Sequence, residues 1–131
     1  MSKIAKEVAE SEFDRFIAEN CIAVSTDKEE LASFNEQRSR VVSAIERGDL
    51  VISEKGQATY TPRRTDSASP ITFNEPTGAS LMAMDRKKAG EDISKLYATM
   101  ADMSGETSKT FANMKMADLK VCMAVVTLFL A

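Results

Sequence analysis

The feature that most constrains this chain is its closing stretch, Val121-Cys122-Met123-Ala124-Val125-Val126-Thr127-Leu128-Phe129-Leu130-Ala131, a nearly unbroken apolar run. The helical pattern starts near Met116, carries Asp118 in its first turn, and meets no break before Leu130. Leu119, Cys122, Met123, Val126, Phe129 and Leu130 form one stripe, while Val121, Val125 and Leu128 fill the other side. A helix that is apolar all round either lies at the centre of a core or is shared with a partner. The run is about half the roughly 20 residues a membrane-spanning helix needs. This helix must bury itself against something, and what it buries against is the functional question.

A length of 131 residues is that of one domain with a core of real size. The formal net charge of −3, with both signs spread along the chain, leaves no electrostatic footprint for nucleic acid. Arg63-Arg64 and Arg86-Lys87-Lys88 are short basic runs diluted by acids, and read as solvated faces. The two cysteines, Cys21 and Cys122, have no metal-ligand spacing. Each sits among apolar neighbours, which predicts buried free thiols acting as small hydrophobes. The N-terminus, Met1-Ser2-Lys3-Ile4-Ala5-Lys6-Glu7-Val8, has charges where a signal peptide needs its apolar core. A cytoplasmic location, away from membranes, is the expectation.

In chain order, residues from about Ser2 to Asn20 read as an amphipathic helix. Ala5, Ala9, Phe13, Phe16 and Ile17 share one face, Ser2 is placed to cap the start, and Asn20 to stop it. Cys21-Ile22-Ala23-Val24 reads as a plug or a brief extended piece. Thr26 and Glu29 have capping-box spacing for a second helix, and Asp27, Glu29 and Glu30 suit its positive end. Leu31, Phe34, Val41, Val42 and Ile45 form its stripe, which Arg38 interrupts; Gly48 is a natural residue to close it. Leu50–Ser53 and Gln57–Thr61 flank Glu54-Lys55-Gly56, a hairpin pattern that must lean on a helix or pair elsewhere. Arg63 to Pro70 is polar and bounded by prolines, a loop and the best boundary candidate between residues 1–62 and 70–131. Ile71-Thr72-Phe73 suits a third strand. Helical patterns follow from Thr77 to Gly90, with Leu81, Met82 and Met84 apolar, and from Glu91 to Met103, with Ile93, Leu96, Tyr97, Met100 and Met103. Gly105 ends the latter, and a short turn of helix carries Phe111. The fold class is therefore mainly α, one compact helical domain over residues 1–131 with a small β-hairpin near residues 50–61.

Chemistry is scarce. The chain has no histidine, no Gly-rich phosphate cradle and no serine in a nucleophile-elbow context, so an enzyme is not expected, nor is a cofactor or metal. Asp85, Glu91, Asp92 and Asp102 read as solvated helix surface. Met82, Met84, Met100, Met103, Met114, Met116 and Met123 crowd the C-terminal part, which suits either core packing or an adaptable docking face.

Pro70-Ile71-Thr72-Phe73, then Glu75-Pro76-Thr77-Gly78-Ala79, Leu81, Met84 and Asp85 form one set of markers. Met103-Ser104-Gly105, Phe111, Met116-Ala117-Asp118-Leu119 and Leu128-Phe129-Leu130 form another. Over about Pro70 to Ala131 the chain resembles the tail assembly chaperones of long, non-contractile-tailed bacteriophages. The half from Ser2 to Pro62 carries no such marker. The resemblance implies a non-enzymatic, mainly helical protein of the host cytoplasm, absent from the mature virion. It would bind the tape measure protein, recruit tail tube protein, and self-associate head-to-tail into a spiral homo-oligomer, with no nucleic acid or membrane partner. Many such proteins also exist in a longer form made by programmed frameshifting, and an apolar helix at Leu128–Leu130 is compatible with a short form. The residues expected for core and interface together are Leu81, Met84, Leu96, Met100, Phe111, Leu119, Val126 and Phe129. The alternative is a structural virion component, such as a tail completion or connector protein. A DNA-binding reading is weaker, because Arg38, Arg40 and Arg47 face Asp27, Glu29, Glu30, Glu36 and Glu46 on one helix.

Overall fold

The computed structural model describes residues 4–24, 26–65, 69–78, 80, 82 and 92–130. Two long helices come first, α1 (Lys6–Glu19) and α2 (Lys28–Glu46). A three-stranded antiparallel sheet follows in the order β1 (Leu50–Ile52), β2 (Ala58–Tyr60), β3 (Ile71–Phe73). Helices α3 (Asp92–Ser104), α4 (Ser108–Ala112) and α5 (Met116–Phe129) complete the described part. The architecture is the expected one, mainly α with a small sheet. Ser2, Leu81, Met84, Gly90 and Glu91 lie outside the described residues, as do the side chains of Asp92 and Ile93. No helix among the described residues is long and apolar enough to cross a membrane.

The two N-terminal helices end by the same device. At the end of α1, Cys21 N–H donates to the Ala18 carbonyl and Ile22 N–H to the Ile17 carbonyl, with Cys21 at φ 53°. At the end of α2, Gly48 N–H donates to Ile45 and Asp49 N–H to Ala44, with Gly48 at φ 80°. Both are paired closures that satisfy the orphan carbonyls of a last turn. Gly48 is the residue expected there. Cys21 corrects an expectation: serving the left-handed position turns its thiol outward, and it is exposed, whereas Cys122 is buried as anticipated. Asn20 does end α1, its side-chain amide donating to the Phe16 carbonyl at 2.9 Å. The start of α2 sits one residue later than predicted. Asp27 in extended backbone is the N-cap, its Oδ2 accepting from Glu30 N–H at 3.1 Å, and Thr26 lies outside the helix. The start of α1 has no side-chain cap, with Ala5 at the N-cap position.

Strand alternation then builds the sheet. Leu50, Ile52, Ala58, Tyr60, Ile71 and Phe73 face the core, while Val51, Thr59 and Thr72 face outward. Leu50 pairs with Tyr60 and Tyr60 with Ile71, so β3 adds to the hairpin as anticipated. The hairpin also leans on α1. Arg15 donates to the Ile52 and Ser53 carbonyls at 2.7 and 3.3 Å, and Asn20 to the Gly56 carbonyl at 2.9 Å. One hydrophobic cluster runs from Ala9 to Phe129 and draws on both sides of the 63–70 stretch.

The apolar closing helix lies at the centre. In α5, Leu119, Val121, Cys122, Ala124, Val125, Val126, Leu128 and Phe129 are all buried. Helix α2 packs antiparallel beside it: Phe34 lines one hollow with Leu128 and Leu130, and Ser43 lines another with Ala117 and Val121. Burying its Leu, Val and Phe side chains, each worth about 1.5–3 kcal/mol against exposure, makes this helix a large contributor to folding free energy.

Candidate interaction site

Most exposed apolar side chains here stand singly, as on any protein. One group does not. The turn after α1, the first half of α2 and the end of α5 converge on a groove of about 580 Å³ lined by Ala23, Glu30, Ser33, Phe34, Gln37, Thr127, Leu128 and Leu130. Local sequence explains the convergence. Buried Ile22 plugs the chain inward immediately after α1, and Asp27 then starts α2, leaving Ala23 at the mouth. Aromatic rings support the floor: Phe34 meets Phe13 edge-on at 6.0 Å, and Phe129 meets Phe16 edge-on at 4.9 Å. Leu130 stays 42% exposed, and Leu31 and Val24, beside Glu30 and Ala23 in sequence, are exposed too. The rim is polar, with Glu30 its one charged member among the described residues. Arg38, which interrupts the α2 stripe, lies 5.3 Å from the Phe13 ring centroid and pairs with Glu10 at 3.1 Å. Its cation over a ring face closes the core beside the groove without burying a bare charge.

A second arrangement, polar and centred on the buried side chains of Asp118 and Tyr60, sits at the other end of α5. Asp118 accepts five hydrogen bonds. Tyr60 Oη at 2.6 Å and Arg63 N–H at 2.7 Å donate to Oδ1. Arg64 N–H at 2.9 Å, Thr65 N–H at 2.7 Å and Thr65 Oγ1 at 2.8 Å donate to Oδ2. Burial pushes the Asp118 carboxyl up, but the bonds from Tyr60, Arg63, Thr65 and Arg64 outweigh it and hold the group below the usual carboxylate value. Burial, then the bond to Asp118, pushes Tyr60 well above the ordinary tyrosine range. Burial, with the Asp118 charge behind it, pushes the Cys122 thiol up to about 12. With its acceptor sites committed, Asp118 has little left for acid–base work. Among the described residues, no group of three His, Cys, Asp or Glu side chains is placed to hold a metal.

The residues expected for core and interface divide as follows. Met100, Phe111 and Val126 are fully buried, Leu119 and Phe129 nearly so, and Leu96 is half-buried against the same core. Leu81 and Met84 lie outside the described residues. The methionines split the same way: Met100, Met103 and Met114 are core, while Met82 and Met116 are exposed. Sequence patterning thus found the helices but not the groove. Its lining comes from three separate segments, and Leu130 differs from Phe129 only by its angle around one helix. Asp118 was visible only as an acid in a first turn, the position where helix dipoles favour acids anyway. Its position at the head of an apolar run was the one available signal.

No family model matches the chain, and neither the curated proteins nor the solved structures include a match.

Proposed function

We propose that this protein is a non-enzymatic assembly factor, a tail assembly chaperone of the type made by long, non-contractile-tailed phages. It would act in the host cytoplasm, holding an extended helical client such as the tape measure protein, gathering tail tube subunits, and associating with copies of itself. The observation that carries the reading is the apolar groove between α2 and the end of α5, floored by Phe34 and Leu128 and rimmed by Glu30, Ser33, Gln37 and Thr127. An amphipathic helix binds by laying an apolar face into such a groove, with polar rim contacts setting its register. The absence of histidine and the saturated Asp118 carboxylate support a binding role over a catalytic one.

Co-expression with a tape measure protein, followed by size-exclusion chromatography with light scattering, tests the reading. The expected result is a soluble complex containing many copies of this chain per client. A monomer that leaves the client insoluble overturns it, and stable presence in purified particles would favour a structural virion component.

A further inference from the structure

We propose that Tyr60 and the backbone of Arg63–Thr65 form an oxyanion receptor for one carboxylate, filled in cis by Asp118, and that this occupancy straps the sheet onto the start of α5. Three consecutive backbone amides, Arg63, Arg64 and Thr65, point at the same group from 2.7, 2.9 and 2.7 Å. Successive amides turned to one side serve neither helix nor strand. They form a concavity of positive potential that suits an anion. The hydroxyls of Tyr60 and Thr65 complete it at 2.6 and 2.8 Å. Five donors match a carboxylate, which offers about four acceptor sites over two oxygens and tolerates sharing. A neutral amide in the same place offers one oxygen and brings two donors of its own.

Asp118 also behaves as a ligand rather than as a cap. An acid in a first turn ordinarily serves the free amides of its own helix. Here the N-cap position, Lys115, has no side-chain cap bond, and the five bonds to the Asp118 carboxylate all come from residues 53–58 positions earlier in the chain. The strap is pinned on both sides of the receptor. Thr61 N–H donates to the Asp49 carbonyl at 2.8 Å, Arg63 Nε lies 3.7 Å from Asp49 Oδ2, and Lys115 N–H donates to Thr65 Oγ1 at 2.9 Å. Pro62 between them has no amide to satisfy. The carboxylate is therefore the element that ties this surface loop to the core.

The test uses the full chain with Asp118→Ala, which empties the receptor, and formate as the probe. Amide hydrogen exchange is followed at Arg63, Arg64 and Thr65, with thermal melting in parallel. In the wild type these amides should exchange slowly. In the variant their exchange should quicken by at least about tenfold, the factor that one lost buried bond represents. Formate should restore protection and melting temperature saturably, while chloride at equal ionic strength and neutral formamide should not. Protection that survives Asp118→Ala without formate, or formate that raises wild type and variant alike, overturns the proposal. If Asp118→Ala does not fold, Asp118→Asn keeps the shape with one acceptor oxygen in place of two, and should lose protection at Arg63 or at the Arg64–Thr65 pair, whichever faces the new NH2 group. Unprotected Arg63–Thr65 amides in the wild type overturn the proposal without any variant.

Discussion

Phe129 and Leu130 are neighbours of similar hydrophobicity, and the structure predicts opposite outcomes for changing them. Phe129 is 7% exposed and its ring packs on Phe16 at 4.9 Å with an interplanar angle of 73°. Phe129→Ala should cost about 3–5 kcal/mol through lost transfer energy and a cavity. The edge-to-face pair accounts for about 0.5–1.5 kcal/mol of that. Against a total stability of roughly 5–15 kcal/mol this is a large fraction. With a urea slope of about 1–3 kcal/mol per molar, the midpoint should fall by roughly 2 M. Leu130 sits at the C-cap position of α5, on the groove, and remains 42% exposed. Leu130→Lys loses part of a leucine's burial, while a cation at a helix C-terminus recovers about 0.3–1 kcal/mol. Its net cost should stay near about 1 kcal/mol. Urea denaturation measures both, and client co-elution by size exclusion measures what stability does not. Leu130→Lys should fold and, on the proposed docking role of the groove, lose the client. If Phe129→Ala costs under about 1 kcal/mol, or Leu130→Lys costs as much as Phe129→Ala, the division between core and groove is wrong. If Leu130→Lys folds and still binds, the groove is not the docking face.

Stability should also fall in acid through Asp118. Its folded pKa lies below the ordinary 3.8, so its contribution is fully present above that value and is lost as pH falls through the folded pKa. Tyr60, Cys122 and the strap are the groups facing it, and none of them gains charge there. The stability gap between wild type and Asp118→Asn should therefore be constant near neutrality and narrow in acid, as urea titrations at stepped pH would show. Gly56→Ala should destabilise by about 1–3 kcal/mol, since a left-handed position strains a side chain. Gly56 has φ +86°, and an added Cβ would lie 2.8 Å from Glu19 Cβ and 2.9 Å from Asn20 Nδ2. A thermal melt of the variant decides it. Thiol labelling at neutral pH should modify exposed Cys21 quickly and Cys122, buried with its thiol pushed up to about 12, only on unfolding. Equal labelling of both in the folded protein would contradict the core packing.

Local order was largely legible in the sequence, because local rules produce it. Ala9, Phe13 and Phe16 at helical spacing, Leu50, Ile52, Ala58 and Tyr60 at strand alternation, and Gly48 and Gly105 after helices each act within a few residues. The misplaced cap shows the limit of such rules. Thr26 has the capping-box spacing, yet it is Asp27, read in the sequence only as an acid at the positive end, whose carboxylate takes the Glu30 N–H.

By itself the sequence determined that this chain is mainly helical and that one all-apolar helix must be enclosed. A run such as Val121–Phe129 has no polar face to show water, whatever surrounds it. Only the tertiary structure decided what encloses it. It put α2 along one side, left Leu130 at an open groove, and set Asp118 among donors 53–58 residues away. Periodicity reports the free energy of a single segment in water. The choice between Phe129 as core and Leu130 as surface, or between Asp118 as helix cap and as strap ligand, is set by contacts between segments distant in the chain.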